Sequence, residues 1–487
     1  MTEPTETVPS PAPPDSEPAM FPSPNEATAR EEIHERSDTV WTRGAGAAPA
    51  IGRVATKSVK GEGGRVAIVD GCRTPFCKSG TALRDLDVVD LSGAVASELV
   101  TRSGVNPDDI GLSIWGVVVP ALHAPNLGRE VVFRASLPMQ IPGTTVNLAC
   151  ASSNRAITSA AEALLTGQCQ VALAGGAESL TNVPIQYSKS GARKLIALSK
   201  ARSAGQKLGV VASVRPKDLI PVPPAIAEYT TGMSMGQACE KMAKENDISR
   251  RAQDEIALMS HDRAAAAAAE GRFDGQIVPV FPKPAFDQAV TADNGVRGDS
   301  SLEALSQLRP VFDKRYGTLT AGNSSPLTDG ASGVLLMQEE KAEAEGLEPL
   351  GFIRSWAYAS LDPASQLLQG PAYAAPLALE RAGMKLSDMD LVEMHEAFAA
   401  QVLSNMKAYA SKKFARDELG GEPMGEIDFD TYNVNGGSIA IGHPFGATGA
   451  RVTMQLLNEL KRRDLNLGLM TVCAAGGVGF AMVVERS

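Results

Sequence analysis

Short apolar runs alternate with longer amphipathic stretches along most of the chain, beginning at Val66. The runs have the length and the β-branched content of buried strands, whereas the stretches between them have the period of helices. Strands that alternate with helices in this way are typical of an α/β fold with largely buried sheets. The predicted strands are 66–69, 114–119, 144–148, 171–174, 334–337, 391–394, 469–472 and 481–484.

Two segments, 146–179 and 442–479, read as copies of one unit. Each contains a loop with a chemically reactive residue, then a helical stretch, then an apolar run and a Gly-Gly pair. Apolar positions in both helical stretches follow an i, i+4, i+5, i+8 spacing, which places them on one buried face. This pattern predicts a duplicated half-domain. The positions are Ala156, Ala160, Ala161 and Leu164 in the first copy and Val452, Leu456, Leu457 and Leu460 in the second.

Two other segments depart from the alternation. Residues 1–64 are crowded with Pro, Ser, Thr and Glu and have few apolar side chains, so we expect a disordered tail. Residues 185–290 are richer in charge and Pro and include a helical part at 248–271, which predicts an inserted loop domain. The predicted organisation is therefore a tail at 1–64, an N-terminal half at 65–340 that includes the insertion, and a C-terminal half at 341–487.

The composition of the 487 residues, with 44% hydrophobic and 21% charged residues, is typical of a soluble globular protein. A formal net charge of −10 argues against a nucleic-acid-binding surface. No apolar run approaches the roughly 20 residues that a membrane-spanning helix needs, so no transmembrane segment is expected. The six cysteines show neither a disulfide framework nor the paired spacing of a zinc site. The sequence therefore predicts a cytoplasmic protein with no metal site.

Cys150 lies between a predicted strand and a predicted helix. A thiol at a helix N-terminus faces the positive end of the helix dipole, which favours the thiolate. The Ser-Ser-Asn that follows is expected to cap that helix, and the small neighbours Ala149 and Ala151 leave room for a substrate. The alternative is a small buried cysteine without chemistry.

Three further residues have the setting of catalytic groups. His443 ends the glycine-rich segment 433–444, and His395 directly follows the predicted strand 391–394. Cys473 ends another predicted strand. Each has a structural alternative: His443 could brace its loop, His395 could cap the next helix, and Cys473 could fill a tight turn. Together with Cys150 they make a set of two thiols and two imidazoles, which suits nucleophilic and acid–base catalysis.

Seven sequence segments in order give the chain a close resemblance to the thiolase family, from about Arg65 to the C-terminus. They are GCRTPF (71–76), NLACASSNRAI (147–157), LAGGAESL (173–180), GTLTAGNSSPLTDGA (317–331), HEAFA (395–399), NVNGGSIAIGHPFGATG (433–449) and CAAGGVG (473–479). Within the family, His395 with its Glu-Ala-Phe and the segment 183–196 resemble the β subunit of trifunctional fatty-acid oxidation complexes. Many thiolases have Asn at the position of His395.

The resemblance implies a role for each catalytic candidate. Cys150 matches the acylated nucleophile, His443 the base that activates it, and Cys473 the acid or base at the substrate α-carbon. The N–H groups of Cys150 and Ala475 match one oxyanion hole. His443, with a water held by the residue at position 395, matches the other. Ala321, Ser325 and Phe398 match positions that bind substrate or CoA.

The implied fold is a five-layered α-β-α-β-α arrangement of two duplicated halves with the inserted loop domain. The implied reaction is cleavage of 3-ketoacyl-CoA by CoA through an acylated Cys150, in fatty-acid β-oxidation, with no cofactor besides the CoA substrates. A homodimer or homotetramer is expected, and a partner subunit with enoyl-CoA hydratase and 3-hydroxyacyl-CoA dehydrogenase activities is implied by the trifunctional type.

Three alternative functions stay open at this point. An acetoacetyl-CoA thiolase would use the same four residues mainly for condensation. A decarboxylating ketoacyl synthase would use Cys150, His395 and His443, but Cys473 and its CAAGGVG segment argue against it. A catalytically idle scaffold would have no need of two thiols and two imidazoles.

Overall fold

The computed structural model of the chain describes residues 60–61, 63–222, 224 and 227–486. The predicted disordered tail therefore lies almost entirely outside the described residues. The strands are β1 (Val66–Arg73), β2 (Cys77–Lys78), β3 (Ile110–Gly116), β4 (Gly143–Val146), β5 (Val171–Glu178), β6 (Gln186–Tyr187), β7 (Pro221–Val222), β8 (Thr328–Gln338), β9 (Gly351–Ser360), β10 (Leu391–Met394), β11 (Leu467–Ala474) and β12 (Val478–Glu485).

The helices alternate with these strands through most of the described chain. They are α1 (Val88–Ser103), α2 (Leu127–Arg134), α3 (Ser152–Leu165), α4 (Lys189–Lys200), α5 (Ala204–Ser213), α6 (Met235–Glu245), α7 (Arg250–Ala269), α8 (Leu302–Ser306), α9 (Glu339–Ala344), α10 (Gly370–Ala382), α11 (Ala399–Ala410), α12 (Lys412–Phe414), α13 (Ser438–Ile441) and α14 (Thr448–Arg463). Short 3₁₀ turns lie at Pro107–Asp109, Pro216–Asp218 and Leu386–Asp388, and a π-helical turn at Ala415–Leu419. No helix in the described ranges is long and apolar enough to cross a membrane.

The strand order shows two copies of one sheet. The first half has the order β4-β3-β5-β8-β1, and the second has β10-β11-β12-β9. In both halves the central pair (β3 with β5, β10 with β11) is parallel and the next two pairings are antiparallel. The counterpart of β4 in the second half is reduced to one parallel bridge between Val392 and Tyr432. The duplication predicted from the two sequence segments is therefore confirmed.

The halves share a layer of helices. Helices α3 and α14 pack between the two half-sheets, and the eight stripe positions predicted on them are all buried. Alternate residues of the strands face outward, where α1 and α2 cover the first half-sheet and α10 and α11 cover the second. The order of layers is thus helix, sheet, helix, sheet, helix, as the resemblance implied. At one edge β1 and β9 pair antiparallel, which joins the half-sheets into one path of nine strands, and β2 pairs with β8 beside this path as the tenth strand of the sheet.

Two predicted strands end earlier than the apolar pattern indicated. The prediction for 114–119 was wrong beyond β3, which ends at Gly116. The N–H groups of Val118 and Val119 donate to the Glu178 carboxylate instead of to a neighbouring strand. The prediction for 144–148 was likewise too long, because β4 ends at Val146 and the chain turns toward Cys150.

The described part of the insertion at 185–290 is mostly helical, and within it only the two-residue strands β6 and β7 form a sheet. The helix predicted at 248–271 is α7. This helix ties the insertion to the glycine-rich loop of the second half. The Ser260 hydroxyl donates to Glu396 (2.7 Å) and accepts from the Gly437 N–H (3.0 Å).

Candidate active site

Cys150 is held by a tight turn that precedes α3. Ala149 has a left-handed backbone (φ 47°), which is uncommon for a residue other than glycine. The Ser152 hydroxyl donates to the Ala149 carbonyl (2.6 Å) and accepts from the Leu148 N–H (2.9 Å). The N-cap of α3 is Ala151, which has no capping side chain, so the expected Ser-Ser-Asn cap was wrong. Ser152 stabilises the turn that presents Cys150 rather than the end of the helix.

His443 contacts the Cys150 thiol directly. Its Nε2 lies 3.1 Å from Sγ, and its Nδ1 lies 2.6 Å from the Thr448 hydroxyl. That hydroxyl donates its own proton to the Pro444 carbonyl (3.2 Å), so it accepts from His443 Nδ1–H. The Nε2 lone pair of His443 is then left to accept the thiol proton, as a general base requires.

The resting thiol and imidazole are both neutral. Burial raises the pKa of Cys150 to about 12, although N–H groups of Ala475 and of Cys150 itself oppose the shift. Burial, together with the charge of Arg451, lowers the pKa of His443 to about 3. The expectation that the helix dipole favours the thiolate was therefore wrong for the resting site, because the loss of hydration outweighs the dipole. Proton transfer from Cys150 to His443 has to accompany attack on the substrate.

His395 lies beside His443, with 4.1 Å between the ring centroids. The backbone N–H of His395 donates to the Thr471 carbonyl (2.9 Å). This bond prolongs the pairing of β10 with β11 and places the His395 side chain at the end of the sheet. Its Nδ1 lies 2.8 Å from the Ser438 hydroxyl. Its Nε2 is buried and has no partner among the described residues. Ser438 therefore holds the His395 ring at Nδ1, and Nε2 is left without a partner among the described residues. His395 does not cap the next helix.

Cys473 lies near the end of β11, where it is fully buried. Burial raises the pKa of its thiol well above the usual range, and the nearby Cys150 and Cys239 add to the shift. The N–H of Ala475, two residues on, reaches the sulfur of Cys150. The fold thus brings Cys150 from the first half to His395, His443 and Cys473 from the second.

Glu178 is a residue of this site that the sequence analysis did not assign. Its carboxylate accepts from the N–H groups of Val118 (3.1 Å), Val119 (2.9 Å) and Gly446 (3.0 Å). Gly446 follows His443 in its loop, and Val118 belongs to the first half. Glu178 therefore fastens the histidine loop to the half that carries Cys150. The only signal in the sequence was its place in the LAGGAESL segment.

Glu396 is a second unassigned residue, and it organises the glycine-rich loop. It accepts from the Ser260 hydroxyl (2.7 Å), the Tyr432 hydroxyl (3.1 Å), the Asn433 side-chain amide (2.7 Å) and the Ile439 N–H (3.2 Å). It belongs to the HEAFA segment, so its position next to His395 was a signal that sequence reasoning left unused.

The three residues matched to CoA binding lie in the segments that precede β8 and α11. Ser325 donates its N–H to the Ala397 carbonyl (3.0 Å), and Phe398 packs edge-to-face on Phe312 with centroids 5.9 Å apart. Ala321 lines a cleft of about 300 Å³ whose walls include Lys78 and Arg297, but none of the four catalytic candidates lines it. Their roles in binding stay predictions.

Two family matches cover the described fold. The family "Thiolase, N-terminal domain" matches residues 66–340, and "Thiolase, C-terminal domain" matches residues 347–486. The chain belongs to the thiolase family. The assignment made from the seven sequence segments is thereby confirmed.

Curated thiolases align with most of the chain. A 3-ketoacyl-CoA thiolase of Pectobacterium carotovorum is 49% identical over 424 residues, which cover 87% of this chain and 97% of that protein. One of Yersinia enterocolitica is 48% identical over 425 residues, with the same coverage.

Solved thiolase structures share the fold. A Bacillus anthracis acetyl-CoA acetyltransferase has a TM-score of 0.74 and 32% identity, and a human mitochondrial 3-ketoacyl-CoA thiolase in complex with CoA has a TM-score of 0.74 and 30% identity. Each alignment covers 89% of this chain and all of the other. The predicted thiolase fold is therefore confirmed.

Proposed function

We propose that this member of the thiolase family cleaves 3-ketoacyl-CoA with CoA, giving acetyl-CoA and a shortened acyl-CoA. The observation that carries the proposal is the Cys150 sulfur at 3.1 Å from His443 Nε2, with the second thiol of Cys473 close by. The relatives at 48–49% identity are named 3-ketoacyl-CoA thiolase, whereas the acetyl-CoA acetyltransferase is 32% identical. These comparisons support an acyltransferase of β-oxidation over an enzyme that mainly condenses acetyl-CoA.

The first half-reaction breaks a carbon–carbon bond. Cys150 passes its proton to His443 Nε2 as the sulfur attacks the 3-keto carbon. The tetrahedral intermediate collapses, the bond between the α- and β-carbons breaks, and the electron pair leaves with the acetyl-CoA enolate. Cys473 gives the enolate carbon a proton, which yields acetyl-CoA and an acyl group on Cys150. The N–H groups of Cys150 and Ala475, which both reach the Cys150 sulfur, are proposed to stabilise the negative charge that develops on oxygen.

The second half-reaction transfers the acyl group to CoA. The Cys473 thiolate left by the first half-reaction takes the proton of the CoA thiol, whose sulfur attacks the thioester carbonyl on Cys150, while His443 holds the proton that it returns to the Cys150 sulfur. The bond from the carbonyl carbon to the Cys150 sulfur breaks, and the cysteine regains a proton. This order of steps predicts ping-pong kinetics.

Two measurements test the proposal. Incubation with an acyl-CoA followed by peptide mass mapping should place the acyl group on Cys150, and an acyl group on Cys72, Cys77 or Cys473 would contradict it. Steady-state thiolysis across acyl-CoA chain lengths should show turnover of 3-ketoacyl-CoA longer than acetoacetyl-CoA. Condensation of malonyl thioesters with loss of CO₂ and no thiolysis would favour a decarboxylating synthase instead.

The proposed chemistry needs no cofactor besides the CoA substrates. Cys150, His395 and His443 do offer one sulfur and two ring nitrogens within 4.8 Å of one another, a donor set that soft metal ions also bind. Treatment with a chelator should nevertheless leave thiolysis unchanged. A loss of activity that Zn²⁺ restores would mean that the three side chains hold a working metal.

We propose that two copies of the chain pair through their sheets. Strand β4 ends the nine-stranded path, so one side of its backbone has no strand beside it among the described residues. Such an edge is a template for pairing with another chain. Light scattering coupled to size exclusion should give the mass of a dimer or tetramer, and a monomer at micromolar concentration would contradict the proposal.

We also propose a partner subunit with hydratase and dehydrogenase activities. The segment 183–196 leads into the pair α4 and α5, whose side chains are almost all outside the core. Ile196, Leu208 and Val211 are more than half exposed there, which is unusual for so many apolar side chains in one place. Native co-purification should recover the partner, and Leu208→Glu should weaken its binding without slowing thiolysis. Recovery of a homo-oligomer alone would contradict the proposal.

The cellular compartment is proposed to be the cytoplasm. All six cysteines are free thiols in the structure, which is the usual state in a reducing compartment. Fractionation of cells should place the protein with cytoplasmic markers, and recovery with another fraction would overturn the assignment.

A further inference from the structure

Ser438 links a buried arginine to His395. The hydroxyl oxygen of Ser438 lies 2.8 Å from Nη2 of Arg451 and 2.8 Å from Nδ1 of His395. All three side chains are almost completely buried, and the hydroxyl has no other hydrogen-bond partner among the described residues. This row of three side chains, Arg451, Ser438 and His395, is therefore shielded from water.

The chemistry of the arginine decides where the protons lie in this row. A guanidinium has only donors, so Arg451 donates and the Ser438 oxygen accepts. The serine has a single proton, and the one acceptor within reach is His395 Nδ1. If Nδ1 carried a proton itself, the Ser438 proton would be buried without a partner, at a penalty of about 1–3 kcal/mol. His395 therefore accepts at Nδ1 and carries its proton on Nε2.

The ring of His443 is held with its proton on the other nitrogen, Nδ1. The Thr448 hydroxyl gives its proton to the Pro444 carbonyl and accepts from His443 Nδ1, which leaves Nε2 of His443 without a proton. Two imidazoles whose centroids are 4.1 Å apart thus present Nε2 to the site in different states, as a lone pair from His443 and as an N–H from His395. The difference comes from Thr448 on one side and from Ser438 with Arg451 on the other.

Arg451 also keeps His395 uncharged. The arginine is 1% exposed, and the acidic residues that favour its charged form are Glu393, Glu396 and Asp293. Burial lowers the pKa of His395 well below its usual range, and His443, once protonated, and the Arg451 guanidinium lower it further. A neutral imidazole with its proton on Nε2 can donate a hydrogen bond but cannot serve as a base toward the substrate.

We propose that Arg451 and Ser438 are positioning residues that hold His395 as an Nε2–H donor aimed at the reacting carbonyl oxygen. The unpartnered, buried Nε2 of His395 is the observation that points to a substrate atom as the missing acceptor. This inference rests on the proposed thiolysis for the identity of that oxygen, but the position of the proton does not depend on it.

The position of the proton can be read in the wild-type enzyme. The chain has only five histidines, so ¹⁵N-histidine labelling gives a spectrum of few signals. His395→Asn and His443→Asn assign the signals of the two site histidines. At neutral pH His395 should show a protonated Nε2 and an unprotonated Nδ1, and His443 should show the reverse. A proton on Nδ1 of His395, or a charged His395, would overturn the proposal whatever the kinetics of Ser438→Ala show.

Kinetics of Ser438→Ala test the consequence. Without the hydroxyl, Nδ1 of His395 loses its hydrogen-bond donor, so the signals of a single His395 tautomer should be lost. The kcat for thiolysis should fall about tenfold or more, with little change in KM. Ser404→Ala is the matched control, because it removes another fully buried serine hydroxyl, one that has no hydrogen-bond partner. Unchanged signals and kcat in Ser438→Ala, or an equal loss in Ser404→Ala, would refute the positioning role. A wild-type enzyme with the expected tautomers but no thiolysis would refute the proposed function alone.

Discussion

Replacing Cys473 by alanine should separate the two half-reactions. The side chain is fully buried and packs in a cluster with Ala238, Cys239 and Leu367. Removing one sulfur atom costs about 1 kcal/mol in lost burial, and a cavity of that size costs about 0.5 kcal/mol more. The total, about 1–2 kcal/mol, leaves a protein of this size folded.

The expected loss of activity is larger than the loss of stability. Burial raises the pKa of the Cys473 thiol, so it is protonated at neutral pH and ready to give the enolate carbon its proton. Losing a positioned acid slows a reaction about 10²–10⁴-fold, which corresponds to about 3–5 kcal/mol in the barrier. Acyl transfer from a simple acyl-CoA to Cys150 moves no carbon-bound proton, so it should persist.

Three assays read these effects on one preparation of Cys473→Ala. Mass spectrometry follows acylation of Cys150, steady-state kinetics follow thiolysis, and heavy-water exchange follows the methyl hydrogens of acetyl-CoA. Cys239→Ala is the matched control, since this neighbouring thiol is equally buried but has no place in the proton route. Near-normal thiolysis and exchange in Cys473→Ala would show that Cys473 is structural. An equal loss in Cys239→Ala would mean that packing, not proton transfer, explains the effect.

Three further predictions concern the tail, a buried carboxyl and the base. A chain that starts at Gly61 should keep its turnover, and a loss above about tenfold, or about 1.4 kcal/mol in the barrier, would show that residues 1–60 act on the site. Burial raises the pKa of Glu178 from 4.5 to about 7, so the folded protein holds this proton more tightly than the unfolded chain. Its contribution to stability therefore falls by about 3 kcal/mol as pH rises between those values, and Glu178→Gln should flatten that part of the denaturation profile; parallel profiles would contradict the shift. Thr448→Val should slow acylation of Cys150 about tenfold or more, because His443 Nδ1 loses its acceptor, and an unchanged rate would refute the orienting role.

Most of the architecture follows from local patterns in the sequence. The apolar runs and the stripes on α3 and α14 predict the elements and the faces that they bury, because a strand alternates every second residue and a helix turns every 3.6 residues. The same patterns predict the duplication, which the strand orders of the two halves confirm. The reactive residues Cys150, His395, His443 and Cys473 could be selected because each lies in a loop or at a strand end, where an α/β sheet places its sites.

Only the tertiary structure decided the protonation states. The residues around Cys150 predict a thiol at the N-terminus of a helix, whose dipole favours the thiolate. The pKa of Cys150 is instead raised to about 12, because the folded halves exclude water from the sulfur. His443, its base, lies 293 positions further along the chain. Glu178 and Gly446 meet across a similar separation, and the chain leaves β3 where the N–H groups of Val118 and Val119 donate to Glu178. Hydration and hydrogen-bond partners depend on residues distant in sequence, and a periodic pattern of apolar positions contains no information about which of them meet.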